Sequence, residues 1–254
     1  MTPVKDPCQI WRYTPWRARL KREAPVRVAW KPALTMTLVA VVLATLAPIG
    51  TADPLPCADP MFRVETTDSV AHNLICAAAS EAVPALATCG LVPTEPIEIA
   101  TVEGPIHGFA RCLAYFDHDL GRIEIVEPAL LCDNLDADDP YAHLPNDVVF
   151  GSMLTHELAH ALVQQNSEGR VVSLVDHEYI ANALELAALD PQHRKTLLDA
   201  AGITPPVSTK VIDLLIYGLA PRRFAAAAYL HFEAFGCDTI TGILDGTMTF
   251  QVDR

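Results

Sequence analysis

The chain has 254 residues, 51% of them hydrophobic and 19% charged, with a formal net charge of −13. That apolar share excludes an intrinsically disordered chain, and the acidic balance excludes the basic face that nucleic-acid binding requires. Twelve glycines without a period exclude a collagen-like helix, and no segment repeats at a solenoid period, so a single globular domain behind a leader is expected.

Charge is distributed unevenly. Residues 1–52 hold eight basic residues against Asp6 and Glu23, a net of +6, and the remainder carries −19. The basic head directly precedes the apolar run Ala33–Ile49, and Gly50-Thr51-Ala52 then offers the small-x-small pattern cut by signal peptidases. Residues 1–52 thus read as a signal peptide or an uncleaved signal anchor, with membrane contact only through residues 33–49 in the second case. Either way residues 53–254 are expected outside the cytoplasm, periplasmic or secreted. Six cysteines lie in that portion (Cys57, Cys76, Cys89, Cys112, Cys132 and Cys237), an even set that predicts up to three disulfides.

After a Pro-rich entry at Asp53–Pro60, the spacing predicts a helix over Ser69–Ala85, capped by Asp68 or Ser69, with Val70, Leu74, Ile75 and Ala78 as its apolar stripe. Strands are expected at Pro96–Val102, Phe109–Phe116 and Gly121–Val126, the last with Ile123 and Ile125 inward and Glu124 outward. The polar run Asp133–Asp147 reads as a loop, and its Asp133–Asp139 oxygens would suit calcium but lack the Gly and Glu of an EF-hand. Helices follow at Pro145–Gln165, Asp176–Leu189 (capped by Asp176), Pro191–Ala201, Ser208–Leu219 and Pro221–Phe235, and a weakly alternating Thr239–Val252 suggests a strand pair. The class is α+β: a small, mostly antiparallel N-terminal sheet with a helix, then a helical region.

The longest predicted helix carries Thr155-His156-Glu157-Leu158-Ala159-His160, the HExxH pattern. Residues i and i+4 lie one turn apart on one face, so both imidazoles can reach one metal ion while Glu157 projects beside it, placed to take a proton from water. Zinc is the expected ion, since two imidazoles and one carboxylate leave a fourth position for water. Val163 and Asn166 stand where a metzincin needs Gly and His, which excludes that class. The next helix offers Glu178, Asn182 and Glu185 on one face, so Glu178 and Glu185 are both candidates for third ligand. His177 lies about 100° round the helix from Glu178 and reads as a loop or capping residue.

In His156-Glu157-Leu158-Ala159-His160 followed by Glu178-Tyr179-Ile180-Ala181-Asn182, the chain resembles the gluzincins, the thermolysin-like and aminopeptidase-like zinc peptidases. The resemblance spans about Phe150–Leu189 and implies a zincin-like domain over 53–254. It implies His156, His160 and Glu178 as zinc ligands and Glu157 as general base, with Asn182 holding one ligand imidazole by its far nitrogen. Gly121–Val126 would be the substrate-pairing edge strand. Asn182 departs from the family's usual Asp, and the downstream catalytic partner does not align.

The implied activity is hydrolysis of a peptide or protein substrate by zinc-activated water. Tyr229 and His231 are candidate oxyanion donors, and Arg222 and Arg223 are candidates to bind a substrate carboxylate, against the alternative of a solvated helix start. A non-catalytic zinc-binding envelope module, with the same helix pair as scaffold, is the alternative reading.

Overall fold

The computed structural model describes residues 53–104, 106 and 112–252. The expected signal or anchor, including the apolar run at 33–49, lies outside them, as do residues 109–111 of the expected strand Phe109–Phe116. Five strands form one sheet: β1 (Leu55–Pro56), β2 (Phe62–Glu65), β3 (Ile97–Val102), β4 (Ala114–Asp117) and β5 (Arg122–Val126), in the order β1-β2-β3-β5-β4.

The α+β class is as expected, yet the sheet is mixed rather than mostly antiparallel. β1–β2 and β4–β5 are antiparallel, whereas β2–β3 and β3–β5 are parallel. The β3–β5 pair is parallel because β5 rather than β4 lies beside β3, and the β2–β3 pair comes from β2, four residues in which Phe62 and Val64 are buried and Arg63 is exposed, too short for its alternation to stand out. From β2 the chain enters helix α1 (Ser69–Ala87) and returns as β3, and a helical crossover obliges its two strands to run parallel. β4 and β5 are joined by a tight turn instead. There Asp117 Oδ1 accepts the N–H groups of Asp119 and Leu120 at 2.9 and 3.0 Å, and Gly121 takes a φ of 66° that a side chain would resist. β5 therefore sits inside the sheet and β4 at its margin, which corrects the expectation that Gly121–Val126 is the edge.

Asp68 caps α1 by accepting the Val70 N–H at 2.8 Å. Its buried face is Ala71, Ile75, Ala79, Ala82 and Leu86, and Val70 is 71% exposed, so the expected stripe is rotated by about one position. By length and composition α1 could cross a membrane, but here it packs against strand β2 and the later helices Asn146–Asn166 and Leu174–Ala188, and its buried face belongs to the common core.

Seven further helices follow among the described residues: α2 (Pro128–Leu131), α3 (Asn146–Asn166), α4 (Leu174–Ala188), α5 (Pro191–Ala201), α6 (Leu214–Leu219), α7 (Pro221–Phe235) and α8 (Asp238–Asp245). The segment read as a loop between α2 and α3 contains short 3-10 turns at Cys132–Asn134 and Pro140–His143. α3 is buried on every side from Leu154 to Val163, packed between α1, β4 and α4, and α4 packs in turn on α7. Ser173, rather than Asp176, caps α4. The Asp176 carboxylate instead accepts the Phe250 N–H at 2.7 Å and the Thr249 hydroxyl at 2.6 Å, tying down the C-terminal stretch. That stretch is not a strand pair: Ile240 and Ile243, three residues apart, bury one face of α8, and residues 248–252 follow without regular secondary structure.

Disulfides join Cys57 to Cys76 and Cys89 to Cys237, and two such bonds suggest an oxidising, exported environment. Cys132 remains a free, half-buried thiol, so the six expected cysteines do not all pair. The two bonds close chain separations of 19 and 148 residues. Loop-closure entropy grows with that separation, so Cys89→Ser with Cys237→Ser is expected to lose about 4–5 kcal/mol and Cys57→Ser with Cys76→Ser about 3 kcal/mol. Urea unfolding of the two double variants checks this ranking, and coincident midpoints would contradict it.

Candidate metal centre

Helix α3 brings its two histidines onto one face, with His156 Nε2 3.1 Å from His160 Nε2. The chain turns back through residues 167–173 and α4 runs antiparallel to α3, so that Ser152 meets Glu185 and His160 meets His177 and Glu178. This register delivers the Glu178 carboxylate to both imidazoles, Oε2 3.5 Å from His156 Nε2 and Oε1 3.6 Å from His160 Nε2.

A tetrahedral ion held at about 2.0–2.1 Å sets its donors about 3.3–3.4 Å apart. The three separations of 3.1, 3.5 and 3.6 Å straddle that value, and all three residues are buried. The His156–His160–Glu178 group could therefore hold a metal ion. Two imidazoles and a carboxylate suit zinc, and the same donors serve other divalent first-row ions. Cys57, His72 and Cys76 also cluster, but the two sulfurs are bonded to each other and offer no thiolate.

Glu157, beside His156 in sequence, is not one of the triangle's donors and is buried, with the Phe116 backbone of β4 among the groups acting on its carboxylate. Burial, opposed by the His156 charge, pushes its pKa up to about 7. A cation in the triangle would draw it back down. His160 is held well below the ordinary imidazole value by burial and by His156. At His156 burial works the same way, but the Glu178 and Glu185 carboxylates outweigh it and raise the pKa.

The remaining site expectations divide. Asn182 does not hold a ligand imidazole: its Nδ2 donates to the Glu178 backbone oxygen at 2.8 Å and reaches Glu178 Oε2 at 3.4 Å. Glu185 is no third ligand, because its Oε2 lies 2.9 Å from His156 Nδ1, on the far side of the ring. Tyr229 and His231 are bound elsewhere. The Tyr229 hydroxyl donates to Glu233 Oε1 at 3.0 Å beneath the Arg194 guanidinium, and His231 Nδ1 lies 3.0 Å from the Tyr179 hydroxyl among Phe235 and Phe250. Where α7 is buried, its face is mostly the run Phe224–Ala228, which carries no hydrogen-bonding side chain.

Arg222 donates to Asp139 Oδ2 at 2.8 Å and stacks over the Tyr141 ring at 4.2 Å, while Arg223 is exposed. Asp139 is thereby engaged in an ion pair, and the acidic run Asp133–Asp139 supplies no metal-holding group among the described residues.

Two histidines that the sequence does not place in the site lie near it. His177 is buried with its Nδ1 3.5 Å from His160 Nδ1, its pKa lowered to about 3 by burial and by His118. His118, in the turn after β4, sets its ring edge-on to His177 with centroids 5.2 Å apart. The only sequence signal for either is that α4 begins close to the motif's helix.

A model described as a family of unknown function, DUF6639, matches residues 62–253. No curated protein and no solved structure matches the chain.

Proposed function

The chain belongs to the DUF6639 family, and we propose, from its own side chains, that it is an exported zinc-dependent peptidase resembling the gluzincins. The observation that carries this reading is the buried triangle of His156, His160 and Glu178 at tetrahedral spacing, on a helix where buried Glu157 directly follows His156. Zinc bound there would supply Lewis acidity, polarising a substrate carbonyl and easing the ionisation of water.

Glu157 is the proton carrier in this reading: its carboxylate takes the proton from the attacking water and returns it to the departing amine, balancing the hydrolysis of one amide bond. β4 lies at the sheet margin, antiparallel to its neighbour, and packs on α3, so an extended peptide adding alongside it would run beside the helix that carries the motif. The basic head, the apolar run at 33–49 and the disulfides support a periplasmic or secreted location, anchored only if that run is retained.

One observation favours a second reading, a metal-binding module without catalysis: His156, Glu157, His160 and Glu178 are each less than 10% exposed. The two separate on the protein made from the full chain, exported and purified from an oxidising compartment without chelator. About one zinc per chain and chelator-sensitive cleavage of a peptide mixture, restored by added zinc, is the expected result. Bound zinc with no cleavage would favour the module.

A further inference from the structure

We propose that Glu185 is the positioning carboxylate of the metal centre, fixing His156 with its Nδ1 protonated and its Nε2 lone pair turned to the ion. The assignment rests on the metal-centre part of the reading above and not on peptide hydrolysis.

Glu178 and Glu185 are seven residues apart on α4, two turns along nearly one line of the helix. The helix thereby sets one carboxylate on each side of the same ring: Glu178 Oε2 3.5 Å from Nε2 and Glu185 Oε2 2.9 Å from Nδ1. An ionised carboxylate only accepts, so Nδ1 must carry the proton and Nε2 keeps the lone pair that a metal needs. Asn182, between them, is turned onto Glu178 and leaves the ring to Glu185.

The second oxygen of Glu185 is held as firmly. Oε1 accepts the Ser152 hydroxyl at 2.7 Å and also the Tyr141 hydroxyl. Tyr141 is itself fixed, its N–H donating to Asp139 Oδ1 at 2.9 Å and its ring under the Arg222 guanidinium, which donates to the other oxygen of Asp139. A buried carboxylate is tolerated only when donors surround it, and three donors from α3 and the Pro140–His143 turn converge on this one. The partner of the other imidazole is weaker: His160 Nδ1 faces a second imidazole, His177, at 3.5 Å. The centre is thus held unequally, rigid at His156 and looser at His160.

The test is zinc affinity by competition with a chromophoric chelator, read on folded, exported protein. Glu185→Gln is expected to weaken zinc about 10–100-fold, because the amide can present an N–H to Nδ1 and drive the proton onto Nε2. Ser152→Ala should weaken it only a few-fold. The Cys89→Ser, Cys237→Ser chain, destabilised away from the centre, should keep the parent affinity. Parent-like zinc affinity in Glu185→Gln would overturn the assignment, as would an equal loss in the cysteine variant. Should Glu185→Gln not fold, Tyr141→Phe combined with Ser152→Ala carries the same test, and unchanged affinity there overturns it too. A wild type that binds no zinc sinks this assignment and the peptidase reading together. Zinc binding that Glu185→Gln weakens, in a protein that cleaves no peptide, supports the assignment and sinks only the peptidase.

Discussion

His160→Ala is expected to abolish zinc retention. Its Nε2 stands 3.1 Å from His156 Nε2 and 3.6 Å from Glu178 Oε1, so it forms two of the triangle's three edges. Metal binding in structural zinc sites is worth about 10–16 kcal/mol, and losing one of a few protein donors removes several kcal/mol, or roughly 10²–10³-fold in affinity. Zinc at about 100 times its dissociation constant stabilises a folded protein by about 2.7 kcal/mol, which for a chain of this size raises the melting temperature by several degrees. The wild type should show that rise and the variant none. Because the substitution also empties space in a packed helix interior, each chain is compared with itself, with and without zinc. A variant that keeps one zinc per chain through dialysis would show that the triangle is not the site.

How far the sequence reaches depends on whether a feature is local. Helix α3 and helix α7 are legible to within a residue or so, because Pro145 and Pro221 mark their starts and long apolar spacing fixes their type. β2 is not legible: its four residues sit beside the Pro- and Cys-rich entry, and only its pairing with β3 makes it a strand. The parallel β2–β3 pair follows from that one omission, and the parallel β3–β5 pair from the placing of β5, not β4, beside β3. The α1 stripe fails differently, since Val70 has the right residue type at the right spacing and yet faces solvent, while Ala71, Ala79 and Ala82 are buried. Apolar residue type alone does not separate those two faces.

The centre divides along the same line. His156, Glu157 and His160 are legible because their spacing is a property of one helix. Glu178 and Glu185 occupy the same face of α4, and only the packing of α4 on α3 decides that one meets the Nε2 side of His156 and the other the Nδ1 side. His118 and His177 come from a β-turn and a helix start that no motif links, so the contacts of His118 with His177 and of His177 with His160 are visible only in three dimensions. Tyr229 and His231 have the right chemistry on a helix that does pack against α4, but on positions bound to Glu233 and Tyr179.

Glu157→Gln is expected to stop hydrolysis and leave the metal in place. The side chain keeps its volume in its buried position. Burial disfavours the charged form of Glu157, so the neutral amide should fold at least as stably at neutral pH. None of the three donor contacts involves residue 157, so about one zinc per chain should remain. What disappears is the acceptor for the water proton, and positioned acid–base groups contribute about 10²–10⁴-fold to rates, so kcat/KM should fall by that factor with zinc affinity unchanged. This pairing of outcomes separates the base from the ligands. Loss of zinc together with activity would move Glu157 into the metal's own donor set. Cleavage at the parent's rate by a zinc-loaded Gln chain would mean that no proton passes through residue 157, and the proposed chemistry would lose its base.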